Sequence, residues 1–161
     1  MHKYLCLMMS LVLLASCNSD LVFSEYRATD SAAWGNEETM KFDFNAPDTI
    51  NRHHLFINIR NDNQFPYSNL FLIATFSFPD GTTVKDTLEY EMALPDGTWM
   101  GKGMGSVKEN KLWYKENIIF PFNGVYTLEL VHAMRKNGSV EGIQSLPGIT
   151  DVGLDIEKSK E

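Results

Sequence analysis

Apolar side chains at every second position, in short runs cut by turn residues, constrain this chain more than any other feature. Met40, Phe42 and Phe44 alternate with Lys41 and Asp43, and Leu55, Ile57 and Ile59 alternate with Phe56, Asn58 and Arg60. A period of two sends successive side chains to opposite faces, which suits a strand and cannot serve a helix. Leu70 to Phe78 is apolar at nearly every position, the pattern of a strand covered on both sides or central in a sandwich. Further runs are Val84 to Tyr90, Leu112 to Phe120, Val125 to Met134 and Val152 to Ile156. Turn residues separate them: Ala46-Pro47-Asp48, Pro79-Asp80-Gly81, Pro95-Asp96-Gly97, Lys136-Asn137-Gly138 and Pro147-Gly148. Glycine accepts positive φ, so Pro-Asp-Gly between two apolar runs reads as a hairpin. A single helical turn around Ser31 to Asn36 is the most helix the pattern allows. The expected fold is all-β, an antiparallel β-sandwich of roughly seven to nine strands.

The first residues obey a different logic. Lys3 precedes an apolar run from Tyr4 to Leu14, too short to span a hydrocarbon core of ~30 Å. The run ends in Leu14-Ala15-Ser16-Cys17, a bacterial lipobox, in which the cysteine thiol receives the acyl chains and the peptide is cut before it. Residues 1–16 are therefore a lipoprotein signal peptide, 17–24 a lipidated tether, 25–156 one sandwich domain and 157–161 a charged tail. Cleavage removes Lys3 and Cys6, moves the formal charge from −7 to −8, and leaves Cys17 as the sole cysteine. No disulfide, cysteine metal site or cysteine nucleophile can then form. Membrane attachment is expected through the lipid alone, since an acidic domain does not adhere to anionic lipid. The same acidity excludes nucleic acid as a partner.

Little of the chain offers chemistry. His53 and His54 are neighbours beside a turn and are expected in solvent, and His132 stands alone. No HExxH or GxSxG pattern occurs, so neither a metal nor a nucleophile–base pair is expected. Gly101-Lys102-Gly103-Met104-Gly105 does not open a helix, as a phosphate-cradling loop must, and reads as a flexible loop or a bulged, close-packed strand. Asp86, Glu89, Glu91, Asp96, Glu109 and Glu116 supply carboxylates, but a glycosidase needs two at a fixed separation. Aromatic residues are more informative. Trp34, Trp99, Trp113 and Tyr114 fall in or beside loop-like segments. Exposed aromatics anchor partners and stack on sugars. Trp99, Trp113 and Tyr114, with Gly101 and Gly103, form the candidate interaction surface.

Several segments together resemble a known family. They are Phe23-Ser24-Glu25-Tyr26, Leu55 to Asn61, Asn69-Leu70-Phe71-Leu72, Asp86 to Met92 with Pro95-Asp96-Gly97 and Trp99, Lys108 to Lys115, His132 to Arg135, and Gly148 to Gly153. In this order they resemble the GldH family of gliding-motility lipoproteins of the Bacteroidetes lineage. The resemblance implies a non-enzymatic envelope lipoprotein without cofactors, working with envelope protein partners in the gliding machinery and the type IX secretion apparatus. It implies one site by position, the acylated Cys17, which would carry fatty acids such as palmitate. Only Asp20 follows Cys17 closely, whereas surface export in this lineage uses an acidic cluster there. That favours a periplasm-facing protein on the outer or inner membrane. A surface glycan-binding lipoprotein using the same aromatics is the alternative.

Overall fold

The computed structural model describes residues 20–160; the signal peptide and Cys17 lie outside the described residues. Ten strands occur in chain order: β1 (Leu21–Ala28), β2 (Ala33–Gly35), β3 (Met40–Asn45), β4 (His53–Asn61), β5 (Asn69–Ser77), β6 (Thr83–Glu91), β7 (Lys108–Ile118), β8 (Val125–His132), β9 (Ser145–Pro147) and β10 (Ile149–Lys158). Two four-stranded antiparallel sheets, ordered β1-β10-β4-β7 and β3-β8-β5-β6, make the sandwich, and β2 pairs with β9 as a short ribbon. Eight strands build the two sheets, within the expected range, and the three-residue ribbon brings the total to ten.

The alternation seen in the sequence becomes the core. Phe42 and Phe44 on β3, Leu55, Ile57 and Ile59 on β4, Leu72 and Phe76 on β5, and Leu128 and Leu130 on β8 all point between the sheets. Burying each such side chain contributes ~1.5–3 kcal/mol. Phe44, Phe76, Phe120 and Tyr126 interlock there with ring centroids 5.0 to 6.2 Å apart. The expected cover on both sides of β5 is only half met, for its burial alternates strictly from Asn69 to Ser77. The β5–β6 hairpin forms where Pro79-Asp80-Gly81 placed it, with Gly81 at φ +86° and Thr82 donating to Asp80.

Several boundaries differ from expectation for local reasons. Leu21 to Ser24 belong to β1, not to the tether, because Leu21 pairs with Glu157 and Ser24 with Asp155 on β10. Glu157 and Lys158 correspondingly extend β10 into the expected tail. The helical turn is a 3-10 turn over Asp30–Ala32, and Ala33–Gly35 leaves it as β2. Trp34 therefore lies on a strand and is fully buried, its indole N–H donating to the Glu38 carbonyl at 2.8 Å.

The strand ends define two poles. One carries the start of β1, the end of β10, and the β3–β4, β5–β6 and β7–β8 loops. The other carries the long β6–β7 and β8–β9 connections. On one flank the edge strands β6 and β7 face each other across the sandwich. Tyr90 donates to the Trp113 carbonyl at 2.7 Å, and Tyr114 and Lys115 donate to Asp86 Oδ2 at 3.0 and 2.7 Å. These side chains tie the two sheet edges together.

Candidate functional site

The register of β7 separates residues that the sequence groups together. Trp113 points outward and is 53% exposed, while its neighbour Tyr114 turns inward and is buried, so adjacent aromatics serve opposite faces. Burial, with Asp86 beside it, pushes the Tyr114 hydroxyl far above its ordinary range, so it stays a donor to that carboxylate. Lys115, the nearest charge, holds Asp86 below the usual carboxylate range. Tyr114 is therefore a seam residue. Both Trp113 and Tyr114 also lie within a strand, not a loop.

Trp99, Gly101 and Gly103 sit on the β6–β7 connection. Trp99 packs on Phe65 at 6.1 Å and donates to Asn63 at 3.3 Å. Beyond it the chain runs antiparallel to the start of β7, with Lys102 and Glu109 exchanging two backbone bonds of 2.8 Å. A cleft of about 660 Å³ opens between this segment and β7, with Glu91, Lys102, Lys111 and Leu112 on its walls. Asn110 is buried against it, donating to the Ile59 carbonyl and Asn61 Oδ1 at 3.1 and 2.9 Å. A Cβ on Gly101 would come within 2.8 Å of the Asn110 amide, so glycine there allows the close approach. Gly101 and Gly103 are thus closely packed, while Gly105 faces open space beside the exposed Met104. Of the six carboxylates weighed in the sequence, Glu91 and Glu109 share this cleft, and Glu109 is bound by Arg60 Nε at 2.7 Å.

From the cleft an aromatic and cationic row continues across the outer face of β4 and β7. Lys111 Nζ lies 4.2 Å over the Phe56 ring, Phe56 packs on Trp113 at 4.4 Å, and His54 meets Trp113 edge-on at 5.0 Å. Farther along, the Arg60 guanidinium covers the Tyr26 ring at 4.2 Å. That ring lies on Gly153, where a Cβ would come within 2.8 Å of it. Burial, reinforced by Asp155 and Glu109, pushes the Tyr26 hydroxyl up to about 12. Asn58, beneath this row, is buried without a hydrogen-bond partner for either amide atom. Cation–π contacts of this kind each contribute ~0.5–1 kcal/mol where exposed. Of the expected residues only Trp113 belongs to the row; Tyr26, His54, Phe56, Arg60 and Lys111 were not anticipated. The signal was present, since Phe56 interrupts the otherwise polar phase His54, Asn58, Arg60 of β4.

His53 corrects another expectation. It is fully buried against Phe120 at 5.5 Å, with Asp48 Oδ2 at 3.7 Å, beyond hydrogen-bond reach. Asp48 accepts from the Ile50 and Asn51 backbone and closes the turn that precedes His53. Burial pushes the imidazole down from its ordinary value. Among the described residues, no group of three or more His, Cys, Asp or Glu side chains is arranged to hold a metal.

Fold and face together define a small antiparallel β-sandwich that presents an aromatic and cationic surface on one sheet. More particularly, the chain belongs to the GldH lipoprotein family, whose sequence model matches residues 21–156. It is 49% identical over 150 residues to the gliding motility lipoprotein GldH homolog of Christiangramia forsetii, covering 93% of this chain and 91% of that one. It is 43% identical over 152 residues to the gliding motility lipoprotein GldH of Flavobacterium johnsoniae, covering 94% of each. The infectious bursal disease virus VP2 subviral particle aligns over 84% of this chain and 30% of the viral one, with 20% identity and a TM-score of 0.36. That similarity is too low to carry an argument. Family membership makes the protein a membrane-anchored envelope lipoprotein of the gliding-motility kind.

Proposed function

We propose that the protein is a non-enzymatic interaction module of the gliding and type IX secretion machinery, anchored through Cys17 and facing the periplasm. Its working surface is the outer face of β4 and β7. The observation that carries this is Trp113, half-exposed and held by Phe56 and His54 on a sheet face. A tryptophan kept at the surface by its own aromatic neighbours is a low-entropy anchor for a partner.

Complementation tests the proposal. In Flavobacterium johnsoniae lacking its own relative, this chain should restore spreading and secreted cargo, and a Phe56→Ala, Trp113→Ala pair present at equal level should not. Full restoration by the pair removes the face from the function. Unimpaired secretion in the deleted strain removes the secretion role. The same exposed Trp113 favours a second reading, glycan binding on the cell surface. Affinity electrophoresis on a polysaccharide panel should then show retardation that Trp113→Ala abolishes, and migration unchanged throughout rejects it.

A further inference from the structure

The pole at which β1 begins is tipped with apolar side chains from several separate segments. Leu21 and Val22 start β1, Ile50 stands on the β3–β4 loop at 82% exposure, Ile119 and Phe122 lie on the β7–β8 loop, and Val125 opens β8. All six are exposed, although the pole itself is firmly built. Arg52 donates to the Asn117 carbonyl at 3.0 Å, Ser159 to Asn117 Oδ1 at 2.8 Å, and the Ala46 N–H to the Gly124 carbonyl at 3.2 Å. Ser159 and Lys158 further donate to the carbonyls of Arg52 and Asp20 at 2.8 and 2.7 Å. Beside these tips runs an apolar groove of about 350 Å³ between Phe78, Val84, Ile118 and Pro121. Rigid loops with apolar tips are not explained by a need to fold.

Apolar exposure alone does not orient the domain, because the opposite pole shows Met104 and Val140. Chain length does. From Cys17 to Leu21 the backbone spans four residue steps, at most about 14 Å when fully extended. The nine-residue strand β4 is about 30 Å long. A lipid on Cys17 therefore holds the β1 pole within a loop's length of the bilayer, while an upright domain keeps Met104 out of reach.

We infer that this pole is a membrane-seating surface: Ile50, Ile119, Phe122 and their neighbours enter the interfacial layer of the same bilayer that holds the anchor. The inference rests on acylation of Cys17. Interfacial attachment grows with the apolar area that leaves water, and four or five such side chains fix orientation even where they add modestly to an acyl anchor. Arg52, Lys158 and Lys160 share this pole with Asp20, Asp48, Asp80, Glu116 and Glu157, so it presents no basic excess and needs no anionic headgroup. Lys160 is already paired with Asp20 at 2.6 Å.

The experiment uses the full processed lipoprotein in vesicles of phosphatidylethanolamine and phosphatidylcholine. Acylation blocks Cys17, so an Ile50→Cys, Phe122→Cys or Met104→Cys variant offers one free thiol for an environment-sensitive fluorophore. At positions 50 and 122 the emission should rise at least about twofold over position 104 and be quenched by nitroxide-labelled lipid, as interfacial burial requires. Equal, unquenched emission at all three positions, with the acylated Cys17 peptide confirmed by mass spectrometry, overturns the seating surface but leaves the anchor standing. A Cys17 peptide without acyl chains overturns the anchor and the seating surface with it.

Discussion

At Gly148 the backbone sits at φ +81°, and a Cβ there would be driven into the backbone nitrogen of Phe65. Gly97 has nearly the same conformation, φ +85°, but faces open space. Gly97→Ala should therefore cost about 1–2 kcal/mol, the left-handed penalty alone. Gly148→Ala should cost about 3 kcal/mol or more, because crowding adds to that penalty. Urea midpoints of the two variants would check this, and equal midpoints would mean that the chain relaxes around Gly148. Histidine sets a second expectation at this scale. Burial lowers the titration of His53 and His132 from the ordinary 6.5. The unfolded chain then binds protons first, so this stability is full above 6.5 and declines as pH falls toward the folded values. Thermal midpoints should drop between about pH 7.5 and about pH 5.5, and a flat profile would contradict the linkage. Neither histidine was legible as a buried residue. Alternation on β4 could show that His53 and His54 face apart, but not that the first is buried against Phe120.

Edge strands β6 and β7 meet through Asp86, Tyr114 and Lys115, and this seam is an element-level property. Asp86→Asn removes the charge while keeping the shape, so a loss of about 1.5–3 kcal/mol is expected, the range for a hydrogen bond to a charged group. The folded Asp86 titrates below its ordinary 3.8. Its contribution is therefore present above 3.8 and is lost as pH falls through the folded value. Asp86→Asn should flatten that acid limb, and an unchanged limb would mean that the pair adds nothing. Strands themselves were readable wherever one face is apolar: β3, β4, β5, β8 and β10 follow from spacing alone. The seam was not, because it joins residues from different sheets and depends on which edges end up facing. β1 was also missed. It is an edge strand with few buried side chains, so its pattern is faint, and pairing with β10 holds it in place.

For the whole molecule, attachment and fold are separable. Cys17→Ala should leave the membrane fraction with an unchanged thermal midpoint, and a protein that stays with the membrane would show that the lipid is not its anchor. This separation explains what the sequence disclosed. Class and address are local, written in alternation and in a four-residue lipobox. The proposed interaction face draws on β1, β10, β4 and β7, which the chain visits far apart, so Trp113 and the apolar Phe56 stand out in the sequence while Tyr26, on the faint strand β1, does not. Leu21 pairs with Glu157, so the chain enters and leaves the sandwich at the same pole. With the proposed lipid on Cys17, a reporter protein joined after residue 160 would be crowded against the headgroups and would tilt the domain. A tag inserted at the Lys136-Asn137-Gly138 turn, where Gly138 has open space around it, would hang from the far side and report on a protein still free to stand.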